Sequence, residues 1–153
     1  MARAQALAEQ QKSLYERDFC LWLEQQSALL REGRLSELDV ANLLEEIESM
    51  GRKDRKAIKS NLAVVLSHLL KYQFQPEQRS GGWRASIIEH RQRLRDDLEE
   101  SPSLAGHAET VLERAYADAR ARALAETGLP AKQLPRTCPY TLQQTLDLDF
   151  LPD

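Results

Sequence analysis

Three histidines, His68, His90 and His107, are the side chains of this 153-residue chain that most readily bind a metal or move a proton near neutral pH. A dimetal helical bundle needs a glutamate three residues before a histidine, because i and i+3 set both ligands on one inward face. Positions i−3 here hold Val65, Ile87 and Leu104, which excludes that motif. HExxH, the GxxxxGKS/T phosphate loop, GxGxxG and GxSxG are absent as well. Glu45 and Glu48 are helical neighbours and with Glu46 offer carboxylates to a metal, although such acids more often form a solvated face. No metal site, cofactor or catalytic residue is expected.

Arg91 is the more pointed residue. On a wheel of 100° per residue with Ile87 at zero, Leu94 falls at about 340°, Leu98 at about 20° and Arg91 at about 40°, inside the apolar seam. Gln26 falls between Leu23 and Leu30 in the same way. A buried guanidinium without a partner is costly, so Arg91 is expected to meet Asp18, Glu45 or Glu48 in an interhelical polar network with Gln26. The plain alternative is an arginine that snorkels to the surface. An enzyme reading places an anion or metal pocket around Arg91, His68 and Glu48, with Trp83 as a further pocket candidate. His68 shares a helix flank with Asn61 and Tyr72, where a hydrogen-bonded interface histidine is expected, and Trp22 and Trp83 lie in core stripes that packing explains.

Charge comes in blocks. Residues 1–51 carry 5 basic and 10 acidic side chains, residues 52–95 carry 11 and 3, and residues 96–153 carry 5 and 11, so the net charge of −3 conceals a basic middle. Arg52, Lys53, Arg55, Lys56, Lys59, Arg79, Arg84, Arg93 and Arg95 form a candidate anion or nucleic-acid surface, whose affinity would fall steeply with salt. The alternative is that acidic helices neutralise the basic middle inside the bundle or between subunits.

The elements that must position these residues are helical throughout, since period-two alternation is nowhere sustained. The first helix is expected from about Ser13 to Arg31, with Ser13 and Glu16 as a capping box and Tyr15, Phe19, Trp22, Leu23, Leu29 and Leu30 on one stripe. Ser36 or Asp39 caps a long second helix reaching Phe74, because Ile47 and Ile58 keep phase across Gly51. Its half from Leu62 to Leu70 is apolar around most of its circumference and is expected to be central. A third helix runs from Trp83 to about Glu100, and Ser101-Pro102 is expected to open a fourth that ends at Gly128. Ala108, Val111, Ala115, Ala119 and Ala123 face inward on it. A Pro-rich tail, residues 129–153, is expected to dock through Leu142, Leu146, Leu148 and Phe150 after a cap-like turn at Thr141.

The sequence is 42% hydrophobic and 29% charged, which suits one globular domain and excludes a disordered chain. Its longest apolar run, Leu62 to Leu66, is far short of the roughly 20 residues that cross a bilayer. Cys20 and Cys138 form no local disulfide or CxxC pair, and no secretory signal is evident, so a cytoplasmic location without membrane contact is expected.

The strings LYERDFCLWLEQQSALLREGRLSELDVANLLEEIESMG, HLLKYQFQPEQRSGGWRASIIEHRQRL, SPSL, AYADARARALAETGLP and CPYTLQQTLDLDFLP together resemble the bacterial domain of unknown function 29 family. The resemblance runs from about Leu14 to Pro152. It implies an all-helical single domain of a type common in cyanobacteria and proteobacteria, and it carries no established activity, cofactor or catalytic residue. Cys20 stands where a typical member has a longer or aromatic residue, so no general role rests on that thiol.

The expectation is thus an all-α, four-helix-type bundle with a long second helix and a short docked C-terminal tail, forming a single domain with residues 1–12 as a frayed start. Its function is unknown, with a non-enzymatic helical interaction module binding a protein partner or itself as the leading reading. Apolar area left exposed after folding would be its signature. Nucleic-acid or other anion binding and an uncharacterised enzyme are the alternatives.

Overall fold

The 3.6-residue periodicity becomes six α-helices and three short 3₁₀ turns, with no strand among the described residues. The computed structural model describes all 153 residues apart from the side chains of residues 11–13. Two compact units divide the chain, residues 1–52 and 53–153, and one long helix runs through the division.

In the first unit, α1 spans Ala2–Arg17 and α2 spans Phe19–Arg31. The single helix expected from Ser13 is therefore split, and the capping role expected of the Ser13 side chain lies outside the described residues. Asp18 makes the split. Its backbone leaves the helical region at φ −147° and ψ 86°, and its carboxylate accepts the Leu21 N–H at 3.0 Å, taking over an orphan donor that a continuous helix would have bonded itself. The aromatic stripe survives the break: Tyr15 packs edge-on to Trp22 with ring centroids 4.8 Å apart, and Phe19 stacks on Trp22 at 5.7 Å.

The next helix, α3, spans Val40–Phe74 without interruption at Gly51, as the phase of Ile47 and Ile58 requires. Of the two expected caps, Asp39 serves: its carboxylate accepts from the Asn42 backbone N–H at 3.5 Å and from the Asn42 side chain at 2.8 Å. Trp22, fully buried, donates its indole N–H to the same carboxylate at 3.0 Å, and the Asp39 N–H donates to Gln26 Oε1 at 2.8 Å. These four side chains fix the start of α3 on α2.

The second unit holds the main core. Ile58, Leu62, Val65, Leu66, Leu69 and Leu70 of α3 are fully buried, with Ile87 and Leu94 of α4 (Gly81–Glu100) and Ala108, Ala115, Tyr116 and Ala119 of α5 (Leu104–Thr127). Each large aliphatic here contributes about 1.5–3 kcal/mol by leaving water, and the alanines let α5 approach its neighbours closely. Ser80 caps α4 through the Trp83 N–H at 3.2 Å. Ser101, expected to open the fourth main helix, instead closes α4 with its N–H on Asp97 O, because a residue before proline is driven out of the α region; α5 begins at Leu104. Gly128 ends α5 in the left-handed region at φ 67°, where a side chain would be strained.

The tail docks on this core. Leu134, Tyr140 and Leu142 are buried, and Leu146 and Phe150 pack against them. Its short helix α6, Leu142–Leu146, opens with the full capping box of Thr141 and Gln144. No helix of the described residues is long and apolar enough to cross a membrane.

Candidate functional surfaces

Arg91 is fully buried and anchors the tail. Its Nε–H donates to Thr145 O at 2.8 Å, and its two terminal nitrogens donate to Phe150 O at 2.8 Å and Gln144 O at 3.0 Å. The partners are thus three carbonyls rather than the expected acid. One guanidinium satisfies the turn that ends α6 and also the backbone beyond it. Burial pushes its pKa down, and the Asp147 charge opposes that shift. Such an arginine is committed and offers no open pocket.

The other members expected in its network have partners within the first unit. Gln26 holds Asp39, Asp18 caps α2, and Glu45 and Glu48 flank Arg52 at 2.8 and 3.9 Å. The network of Arg91 with Gln26 and an acid is therefore replaced by two separate arrangements. Gln26 is buried, and its acceptor meets a backbone N–H that no side-chain pattern announces.

His68 is half-buried and its Nδ1 donates to Val64 O at 2.8 Å, one turn back on its own helix. Burial lowers its pKa below the usual histidine value, with Lys71 adding to the effect. Trp83 carries the Lys71 ammonium 5.3 Å above its ring centre, and that ammonium also bonds Glu126 at 2.6 Å. Among the described residues, no three His, Cys, Asp or Glu side chains stand together to hold a metal ion.

The basic middle is divided by the fold. Arg52 is paired as above, Arg93 is bound to Glu89 at 2.5 Å, and Arg79 donates to Tyr72 O while lying 4.2 Å from the centre of the Tyr72 ring. Arg95 borders a cavity of about 640 Å³ beside the tail, where Glu109, Asp147 and Asp149 are also present. Arg84 and Lys53 are exposed elsewhere on their helices.

Arg55, Lys56 and Lys59 are brought together with residues the sequence reading did not single out. Lys56 and Lys59 line both of two adjoining cavities of about 290 and 310 Å³ between α3 and α5, with Arg55, His107 and Arg114 in the first and Asp118 and Arg122 in the second. Lys59 pairs with Asp118 at 3.0 Å, and His107 Nε2 lies 3.2 Å from Arg55 O. The signal was present in Arg114, Asp118 and Arg122 at i, i+4 and i+8, which line one helix face. Counting charge over the acidic last third concealed it.

A second surface lies in the first unit. Val40, Leu44, Ile47 and Met50 of α3 are each 54–65% exposed, a row of apolar side chains at i, i+4, i+7 and i+10. Phe19 and Leu30 of α2 are also exposed.

The family described as domain of unknown function DUF29 matches residues 14–151. The chain belongs to the DUF29 family. The DUF29 match begins near the end of α1, covers every later element, and includes both surfaces. No curated protein and no solved structure matches this DUF29 chain.

Proposed function

We propose that this DUF29 chain acts by binding, as a helical interaction module that docks a second copy of itself on the apolar face of the first half of α3. The exposed row of Val40, Leu44, Ile47 and Met50 carries the reading. An aliphatic side chain left in water forgoes about 1.5–3 kcal/mol that burial would supply. A neighbour that covers four of them gains a substantial driving force.

The spacing favours a copy of the same helix. In heptad terms the exposed β-branched Val40 and Ile47 take a positions and Met50 a d position, with Leu44 beside them at e, and β-branched residues at a with a residue unbranched at Cβ at d favour two strands. The next a position is Asp54, so the seam ends after two heptads and suits a reversible contact. Light scattering over a range of protein concentrations tests it. Dimer formation that Ile47→Glu abolishes, with helical circular dichroism unchanged, is the expected result. A strictly monomeric wild type at every concentration overturns self-association.

A further inference from the structure

We propose that the groove between α3 and α5 in the second unit binds the phosphodiester backbone of nucleic acid without reading its bases. Five cations from two helices, Arg55, Lys56, Lys59, Arg114 and Arg122, converge on two adjoining cavities that share Lys56 and Lys59, with Asp118 the acid among the lining residues. Asp118 is spent on Lys59, and Glu126, one turn beyond Arg122, is spent on Lys71. The other four cations are exposed and form no ion pair with a described residue; Arg122 also feels the Glu126 carboxylate one turn on, while the charge of Arg55, Lys56 and Arg114 is available to a ligand.

Length and lining choose the ligand. At 1.5 Å per residue the groove follows α3 for about 13 Å from Arg55 to Val64 and α5 for about 22 Å from His107 to Arg122. That extent exceeds a single phosphate ion and suits a linear polyanion. An acidic protein anchors through large side chains set in apolar pockets, whereas the apolar side chains lining these cavities are Val111 and Ala63, both buried, and Val64, half-buried. No Phe, Tyr or Trp ring lines either cavity to stack a base, and the one imidazole there, His107, is held with Nε2 3.2 Å from Arg55 O. What remains is charge-to-phosphate contact, which orients a strand and carries no sequence information. The second unit as a whole is near neutral, with 15 basic and 14 acidic residues, so this surface is local and not a consequence of net charge.

Fluorescence anisotropy with labelled mixed-sequence DNA, single- and double-stranded, tests the proposal on the full chain. Four phosphates neutralised give a log–log salt slope of about −3.6 for duplex, a loss of affinity of about 150-fold between 50 and 200 mM salt. Lys56→Ala and Arg114→Ala, both exposed, should each make the slope shallower by about 0.9, whereas Arg84→Ala, outside the groove, should not. Asp118→Asn removes the competing carboxylate and frees Lys59, so it should tighten binding and steepen the slope by about 0.9. A slope shallower than −1, or equal losses from Arg84→Ala and Lys56→Ala, overturns the proposal. Displacement of the DNA by polyglutamate at matched charge concentration assigns the groove to an acidic protein and likewise overturns it. None of these results depends on α3 self-association, which the Ile47→Glu comparison reads separately.

Discussion

Replacing Arg91 by methionine tests the anchoring of the tail most directly. Methionine keeps much of the buried stem and removes the guanidinium, so Gln144 O, Thr145 O and Phe150 O lose donors that stand at 2.8–3.0 Å. Thr145 is fully buried, so its carbonyl bears the full cost of an unpaired acceptor, about 1–3 kcal/mol. Gln144 and Phe150 are half-buried and can recruit water, so each loses about 1 kcal/mol, the usual net worth of a hydrogen bond. Relief from burying a charge offsets part of the total. A net destabilisation of about 2–4 kcal/mol is expected in urea denaturation followed by tryptophan fluorescence. Hydrogen exchange should locate it in the tail, where the amides of Thr145, Asp147 and Phe150 are bonded to Thr141 O, Gln143 O and Asp147 O. Arg91→Lys should fall between the two, since a lysine keeps the charge and lacks the planar fork that spans three carbonyls. An Arg91→Met protein within 0.5 kcal/mol of wild type on this roughly additive reckoning, with unchanged tail exchange, would refute the reasoning.

Acidification should destabilise the protein below about pH 6.5, the ordinary histidine value. Burial holds the His68 pKa lower in the folded state, so over that window the unfolded chain binds the proton first and gains. Full stability is therefore present above pH 6.5 and falls as pH drops towards the folded value, and His68→Gln should flatten that part of a stability–pH profile measured by urea midpoints. The Lys71 ammonium holds the Glu126 carboxyl below its usual pKa, so their contribution is present above about pH 4.5 and is lost further into acid. Glu126→Gln should cost about 1 kcal/mol at pH 7 in thermal unfolding, the upper end for an exposed pair, because Glu126 is itself 46% exposed while Lys71 is 9% exposed; no change would mean that Trp83 and water suffice for Lys71.

Where the physics is local, the sequence predicted the structure well. The 3.6-residue period gave the helices, the apolar run from Leu62 to Leu70 the central segment, Gly128 the end of α5, and the cap-like turn at Thr141 the start of α6. Asp18 shows where two local rules conflict: the stripe from Tyr15 to Trp22 argued for continuity, and a capping carboxylate won.

The candidate surfaces were half legible. The Val40 to Met50 stripe and the basic residues 55–59 are visible in the residues, but their exposure and companions are not. A stripe looks the same whether a neighbour covers it or not. Arg114 and Arg122 join Lys56 and Lys59 only because close packing of α3 and α5 sets distant segments side by side. By itself, the sequence determined the helical class, the long α3, the inward position of Arg91, and membership of DUF29. Tertiary structure alone decided which groups meet those two polar side chains, because the partners are backbone groups, present at every residue and distinguished only by where the fold leaves one unpaired.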